Sequence, residues 1–432
     1  MKILVVSSHE QHFGGGEGRL SYEFAVEMSK RHQVVLICPS TNPDPLPEGA
    51  GLHIYPLRSI DFTLAALGSG EIRAILRFLD SFDPDIIHSH TPWFMGAIIQ
   101  AWAHIRGVPF YFTAHELPSK MLEWGLVRYL SAVSRTSLLH VLTSTYLVSF
   151  CRHCTAVVAL NKAAMDDIRG IGYRGRMFVI PNGRTLSLYD GKAPMDPRAP
   201  EKILTFVGDF TPRKNQKYLV TVLNYLPAEY RLLLIGHYVD HQYMRDIDSA
   251  IGPKLRDRVI FTGRLEHALV PEQLARTHVW VSASLMEVQS LAVMEALASG
   301  TPVVGLSNET IDELIDSDVG ARLPKDATPE QFANAVRALC ETGSESYEAL
   351  CRNARSKAKP YDWDNNMNLT ERMYVKTSRG KGMTRRGTLA LPLLFSTGQM
   401  LLSMIMFLIV QFMAFVERLQ GIRRTRAAAS RA

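Results

Sequence analysis

The stretch of residues 280–305 constrains the fold of this 432-residue chain more than any other part of its sequence. The apolar run Val279–Ser282 predicts a short buried strand, and a loop of small residues that carries Glu287 follows it. We expect a helix from Leu291 to Ala298, because Gly300 just beyond it is the residue type that most often ends a helix. The next apolar run predicts another buried strand, so the stretch favours an α/β fold.

Two carboxylates in this stretch form a pattern that suits a particular kind of ligand. Glu287 and Glu295 are eight positions apart, which predicts one at the mouth of the helix and the other about two turns inside it. Between them, the backbone N–H groups from Val288 through Ser290 to Leu291 have no partner within the helix and are expected to bind an anion. A nucleotide-sugar, which carries both phosphates and hydroxyls, is a ligand of this kind.

The E-x7-E pattern, followed by E-A-L-A-S-G-T-P-V-V, resembles the donor-binding signature of retaining glycosyltransferase family 4. That family has the GT-B architecture, in which two Rossmann-like α/β domains face each other across a cleft. The resemblance implies that Glu287 lies against the transferred sugar and that Glu295 holds the ribose hydroxyls of the nucleotide. The alternative, two solvated acids on a helix surface, is disfavoured because the whole context from Glu287 to Gly305 matches.

A glycine-rich segment near the start of the chain indicates a second ligand-facing region. A strand from Lys2 to Ser7, the run Gly14-Gly15-Gly16, a helix and the strand Val34–Cys38 form a βαβ pattern. The glycine spacing is not G-x-G-x-x-G and no acid follows the second strand, which disfavours a dehydrogenase. By resemblance, Gly15 and Gly16 instead face the diphosphate or the acceptor.

The expected leaving-group site follows the strand Ile203–Val207, where the sequence reads G-D-F-T-P-R-K-N. The family usually has an Arg and a Lys here, and that pair neutralises the leaving diphosphate. Lys214 fits the lysine position, whereas Asp209 stands at the arginine position. Arg213 is able to supply the missing charge, since a guanidinium suits phosphate geometry. If it does not, leaving-group stabilisation is weakened.

Two further residues complete the predicted site. His115 follows the strand from Pro109 to Thr113 and matches the strand-end histidine that reaches the donor sugar in the family. Arg264 follows the strand from Val259 to Thr262, at a position where the family's backbone contacts the base. Both are assigned by resemblance.

The expected domain organisation follows from the same resemblance and from a change in composition near the end of the chain. It comprises an N-terminal acceptor domain (1–190), a linker (191–201), a C-terminal donor-binding domain (202–358), a helix crossing back to the first domain (359–378) and a membrane-associating tail (379–432).

The net charge of +6 belongs to the tail, because residues 376–432 hold ten Lys or Arg and one Glu. The remaining chain is nearly neutral, which gives a nucleic-acid partner little support. Five scattered cysteines are interpreted as free thiols. D-x-D patterns occur at several unrelated places, and the family generally works without bound metal, so we expect neither metal nor cofactor.

Residues 388–416 carry no formal charge and are rich in Leu, Met, Ile and Phe. The segment is long enough to span a bilayer once, for which about 20 residues suffice. Basic clusters flank both ends, so a single span and an interfacial or re-entrant arrangement both stay open. We therefore expect an enzyme at the cytoplasmic face of a membrane.

The sequence thus predicts a retaining, nucleotide-sugar-dependent hexosyltransferase whose acceptor is a membrane lipid or lipid-linked glycan. One alternative is a membrane-anchored transferase that acts on soluble or growing polysaccharide. Another is a catalytically silent nucleotide-sugar-binding protein, for which Asp209 is the supporting feature.

Overall fold

The computed structural model describes residues 1–7, 15–39, 51–57, 69–120, 137–190 and 195–378. The chain divides into two compact units. Residues 1–181, together with the chain from Met367 onward, form the first unit, and residues 182–366 form the second.

The first unit contains a seven-stranded parallel sheet in the order β3-β2-β1-β4-β5-β6-β7. Its strands are β1 (Lys2–Val6), β2 (Gln33–Pro39), β3 (Leu52–Leu57), β4 (Ile86–Ser89), β5 (Phe110–Ala114), β6 (Ala156–Ala159) and β7 (Met177–Val179). Its described helices are α1 (Gly15–Ser29), α2 (Ser69–Phe82), α3 (Phe94–Arg106), α4 (Ser137–Arg152) and α5 (Lys162–Gly170). Its central strands β1 and β4 are buried along almost their whole length, as expected for a parallel sheet covered on both faces.

The second unit contains a six-stranded parallel sheet in the order β10-β9-β8-β11-β12-β13. Its strands are β8 (Lys202–Val207), β9 (Tyr230–Ile235), β10 (Val259–Gly263), β11 (Val279–Ser282), β12 (Val303–Leu306) and β13 (Gly320–Leu323). Its helices are α6 (Gln216–Val222), α7 (His241–Ala250), α8 (Val270–Ala275), α9 (Leu291–Ser299), α10 (Glu309–Leu314), α11 (Pro329–Cys340) and α12 (Ser344–Ala358). A last helix, α13 (Trp363–Ser378), begins in this unit, and its residues from Met367 belong to the first.

Both sheets have the strand order of a doubly wound α/β fold. The order reverses between β1 and β4 in the first unit and between β8 and β11 in the second. Ligands of open α/β sheets bind at such switch points, beyond the carboxyl ends of the strands. The prediction of two Rossmann-like domains is therefore confirmed.

The structure differs from the sequence analysis at the glycine segment. Gly15 and Gly16 are the first two residues of α1 rather than part of a loop. The first N–H groups of a helix have no intrahelical partner, so a glycine is tolerated there at little cost. Residues 8–14, which carry the rest of the predicted loop, lie outside the described residues.

Residues 182–190, which the sequence analysis places in the first domain, belong to the second unit. Tyr189 is almost completely buried in the hydrophobic core of that unit, and this burial ties the segment to it. No helix among the described residues is long and apolar enough to cross a membrane. The predicted membrane segment, 388–416, lies outside those residues.

Candidate active site

The loops that follow three adjacent strands, β8, β11 and β12, are tied together at the carboxyl edge of the second sheet. The backbone N–H of Leu285 donates to the carbonyl of Arg213 at 2.9 Å. The side-chain amide of Asn308 donates to the carbonyl of Ser284 at 3.0 Å. These bonds hold the loop between β11 and α9 at the switch point of the sheet.

Glu287 lies in this loop and is only 8% exposed. Its Oε1 lies 2.5 Å from Nζ of Lys214, and its Oε2 lies 3.6 Å from Nη1 of Arg213. Burial by itself raises the pKa of Glu287, but the charges of Lys214 and Arg213 outweigh it and bring the pKa below its ordinary value. The carboxylate is therefore ionised at neutral pH and shared by two cations.

Arg213 also donates from Nη1 to the carbonyl of Met286 at 2.8 Å. This hydrogen bond holds the Arg213 guanidinium against the loop that carries Glu287. Arg213 itself is the residue before Lys214 in the sequence. Asp209 is exposed, and its backbone carbonyl accepts a hydrogen bond from the Gln216 side chain at 2.9 Å. Two neighbouring residues, Arg213 and Lys214, thus both face the Glu287 carboxylate.

The prediction that the backbone N–H groups ahead of α9 are unpaired is wrong at Ser290. The N–H of Ser290 donates to Oγ1 of Thr310 at 2.9 Å, and the N–H of Glu287 donates to Oε2 of Glu309 at 3.3 Å. Asn308 caps α10 through the N–H groups of Thr310 and Ile311, which fixes Thr310 beside the loop. Leu291 begins α9 and packs against the core. Part of the predicted anion site is thus already bonded to α10.

Glu295 lies just over one turn inside α9 and is 3% exposed. Its Oε1 lies 3.1 Å from Nε2 of His267 and 3.7 Å from Nε of Arg184. Arg184 is itself 1% exposed, so a buried guanidinium faces a buried carboxylate. Neither Arg184 nor His267 was predicted from the sequence. The available signal was a charged residue directly after the P-N-G turn.

The position of Arg184 is fixed by its backbone. Its N–H donates to the carbonyl of Tyr361 at 2.7 Å, and its carbonyl accepts from the N–H of Trp363 at 3.2 Å. A side chain at Gly183 would meet the Trp363 ring at 2.1 Å, so only glycine fits there. The N–H of Asn182 donates to Oε1 of Gln289 at 2.7 Å, which links this segment to the Glu287 loop.

The other predicted residues lie elsewhere. Arg264 follows β10 and is exposed, while His267, three residues on, reaches Glu295. Gly15, Gly16 and His115 belong to the first unit, where His115 follows β5. Within the described part of the chain, no group of three or more His, Cys, Asp or Glu is arranged to hold a metal ion.

Two family models match adjacent parts of the chain. Residues 14–188 match Glycosyltransferase Family 4, and residues 201–342 match Glycosyl transferases group 1. With the two parallel sheets and the charged cluster beyond β8 and β11, these matches define a GT-B glycosyltransferase that uses a nucleotide-sugar donor. The chain belongs to glycosyltransferase family 4, of the group 1 type.

Curated relatives are about a quarter identical to the chain over the aligned residues. An uncharacterized glycosyltransferase of Methanocaldococcus jannaschii is 24% identical over 75% of this chain and 84% of its own length. The sulfoquinovosyl transferase of Arabidopsis thaliana is 26% identical over 67% of this chain and 56% of its own. A glycogen synthase of Mycobacterium tuberculosis is 25% identical over 88% and 96%.

Solved structures share the fold. A sucrose-phosphate synthase from Thermosynechococcus elongatus superposes with a TM-score of 0.72 at 19% identity, covering 88% of this chain and all of its own. The Anabaena protein HepE, crystallised with UDP and glucose, superposes with a TM-score of 0.66 at 17% identity, with the same coverage. At these identities the likeness is one of fold.

Proposed function

We propose that the protein is a retaining hexosyltransferase that moves a sugar from a nucleotide-sugar to a membrane lipid or lipid-linked glycan at the cytoplasmic face of a membrane. The observation that carries the proposal is the cluster of Glu287, Lys214 and Arg213 at the switch point of the second sheet. A buried carboxylate beside two cations suits a ligand that presents a sugar and a diphosphate together.

In the proposed reaction, Lys214 and Arg213 stabilise the negative charge that develops on the diphosphate as the glycosidic bond breaks. The departing β-phosphate oxygen takes the proton from the acceptor hydroxyl, which attacks the same face of the sugar. Glu287 orients the sugar and supports its developing positive charge. Glu295 accepts from the ribose hydroxyls, and no metal takes part.

Glu287 and the donor diphosphate compete for the same two cations in this proposal. In this structure Lys214 and Arg213 both lie against the Glu287 carboxylate. A diphosphate carries more negative charge than a carboxylate and presents oxygens that suit a guanidinium. Donor binding is therefore expected to draw the cations toward the diphosphate and to release Glu287 toward the sugar.

Two observations support an acceptor in the bilayer. The uncharged segment 388–416 between basic clusters has the composition of a membrane-seeking segment. Among the relatives, an alpha-monoglucosyldiacylglycerol synthase of Streptococcus pneumoniae is 25% identical over 56% of this chain and 56% of its own length. Its name includes a membrane lipid.

A second candidate is transfer to a soluble or growing polysaccharide, with the tail serving only as an anchor. The glycogen synthase relative, which matches 88% of the chain, favours it. A catalytically silent nucleotide-sugar binder is the third candidate, because Asp209 replaces the usual arginine.

The test is a panel of UDP-, GDP- and ADP-sugars with a labelled sugar, assayed with membrane lipids and, separately, with oligosaccharides. Glu287→Gln removes the carboxylate at nearly constant volume. Glu345→Gln, at an exposed position in the first turn of α12, is the matched control. We expect label in the organic phase with the wild type and the control, and a loss of about 100-fold with Glu287→Gln.

Label in water-soluble glycan alone would overturn the lipid acceptor and support the second candidate. Binding of a nucleotide-sugar without turnover of any donor would establish the silent binder. The stereochemistry of the product, read from the coupling constant of the new anomeric proton, tests retention.

A further inference from the structure

Three histidines of the first unit form a stacked column at the carboxyl edge of its sheet. His88 and His90 have ring centroids 5.1 Å apart with planes 15° from parallel, and His90 and His115 are 5.1 Å apart at 19°. His88 is the third residue of β4, His90 follows that strand, and His115 follows the neighbouring strand β5. His88 and His90 are buried, at 1% and 4% exposed, whereas His115 is partly exposed.

The hydrogen bonds of the column are unequal. His88 is bonded at both nitrogens, to the Tyr374 hydroxyl at 2.5 Å and to Oγ1 of Thr113 at 2.7 Å. His90 is bonded through Nδ1 alone, to Nε2 of His115 at 2.8 Å. Nε2 of His90 is buried and has no hydrogen-bond partner among the residues the structure describes.

Both buried rings are neutral at physiological pH. Burial, with a smaller contribution from His115, lowers the pKa of His88 to about 3. The same causes, together with His88, place the pKa of His90 well below its ordinary range. Since a neutral imidazole has one donor nitrogen and one acceptor nitrogen, one proton lies between His90 and His115.

Two arrangements of that proton are possible, and they differ in what remains at Nε2 of His90. If His115 donates from Nε2, then His90 must carry its own proton on Nε2, where a buried N–H has no acceptor. If His90 donates from Nδ1, its Nε2 is an unprotonated acceptor without a donor. Buried N–H groups without a partner are rarer than under-satisfied acceptors, so the second arrangement is favoured.

We propose that His90 is a positioning residue that donates from Nδ1 to His115 and thereby holds His115 in the tautomer that carries its proton on Nδ1. This inference rests on the proposed function and on the expectation, taken from the family resemblance, that His115 reaches the donor sugar. A sugar hydroxyl that meets Nδ1 of His115 then finds an N–H donor rather than an acceptor. Orientation of a catalytic ring through its other nitrogen is a general device.

The first test reads the tautomer directly and needs no turnover. In the full-length protein labelled with ¹⁵N at its 14 histidines, two-bond ¹H–¹⁵N correlations distinguish protonated from unprotonated ring nitrogens. The His115 signals are assigned as those that vanish in His115→Gln. We expect Nδ1 of His115 to be protonated and Nε2 unprotonated in the wild type. A protonated Nε2 would overturn the proposal.

The second test uses two variants of nearly equal volume. His90→Asn can still place an N–H group against Nε2 of His115, whereas an ionised carboxylate in His90→Asp only accepts and selects the tautomer with its proton on Nε2. With the donor that the sugar panel identifies, we expect His90→Asn to stay within about threefold of wild-type kcat/KM and His90→Asp to lose about tenfold. His241→Asp, at an exposed position, controls for the added acid.

The outcomes separate this proposal from the proposed function. No turnover by the wild type, with His115 protonated on Nδ1, would refute the transferase and leave the role of His90 supported. Turnover by the wild type with equal losses in His90→Asn and His90→Asp would refute the donor role of His90. Thermal unfolding of each variant shows whether a loss of activity comes from misfolding. If it does, the tautomer of His115 measured in the wild type decides whether the proposal holds.

Discussion

Nζ of Lys214 lies 2.5 Å from Oε1 of Glu287, although the two residues come from loops that follow different strands, β8 and β11. The lysine side chain is 16% exposed and that of the glutamate 10%. Their pairing therefore occurs in a poorly solvated environment, where each charge depends on the other.

Lys214→Met is expected to lower transfer about 100-fold, because it removes the cation closest to the proposed leaving group. The effect should fall mainly on kcat, since charge on the diphosphate develops in the transition state. Steady-state kinetics with the identified donor measures it. Lys217→Met, on the exposed face of α6, is the matched control. A loss confined to KM would contradict a role in leaving-group stabilisation.

Glu287 is expected to make stability depend on pH in the acid range. Its pKa in the folded protein lies below the ordinary value of 4.5, so it contributes stability that is fully present above 4.5 and is lost as pH falls through the folded pKa. Once Glu287 is protonated, its side chain is uncharged, as is the glutamine of the variant, and neither attracts Lys214 by charge. The difference in unfolding free energy between the wild type and Glu287→Gln should thus shrink below pH 4.5.

Urea denaturation of both proteins across the acid range measures this difference, with Glu345→Gln as the control. A difference that stays constant down to pH 3 would show that the carboxylate of Glu287 is not stabilised by the neighbouring cations.

Most of the fold follows from local sequence pattern. Buried central strands such as β8 and β11 are mostly apolar, and Gly300 ends α9 in the left-handed conformation with φ of 78°, as predicted. The strands β3 and β13, which lie at sheet edges, do not follow from such a pattern. Their residues alternate between buried and more exposed, so no apolar run identifies them.

The candidate site was predictable where one short segment carries it and unpredictable where distant segments meet. Glu287 and Lys214 lie in recognisable motifs. His267 and Arg184 meet Glu295 only because β10 and the segment after β7 lead to the same place, and neither the pattern nor the spacing encodes that contact. Thr310 likewise takes the Ser290 N–H from a helix 20 residues further along the chain.

Removal of the Glu295 carboxylate is expected to destabilise the fold as well as weaken donor binding. Glu295→Ala leaves the buried Arg184 without its counter-charge, which typically costs about 3–5 kcal/mol of unfolding free energy. Equilibrium denaturation measures the cost. The pair Arg184→Met with Glu295→Leu should recover part of it, because neither charge then remains buried. If the double variant were no more stable than Glu295→Ala, the ion pair would not be the source of the loss.

The stability measurement also decides how an inactive Glu295 variant is interpreted. Glu295→Gln keeps the side-chain volume and one carbonyl acceptor, so a folded Glu295→Gln protein reports on donor binding by itself. We expect its KM for the donor to rise more than its kcat falls, since the ribose does not react. Equal affinity for the donor in the wild type and in folded Glu295→Gln would argue against ribose recognition by this residue.

The tail is expected to bind membranes through its apolar segment rather than through its basic clusters alone. A charge at the centre of a membrane-buried segment costs about 2.5–3.5 kcal/mol, so Leu402→Arg should reduce binding to phospholipid vesicles about 100-fold in a flotation assay. Ala427→Arg adds the same charge outside the segment and should leave binding unchanged or slightly stronger. If both variants bind equally well, the basic clusters alone hold the protein at the membrane.

A cysteine introduced by Ser430→Cys, probed with a membrane-impermeant thiol reagent in sealed vesicles, distinguishes the two arrangements of the segment. A single span places the new cysteine on the opposite side of the bilayer from the enzyme body, where a reagent added on the side of the enzyme body does not reach it. An interfacial or re-entrant segment leaves the cysteine on the same side as the enzyme body, where that reagent labels it.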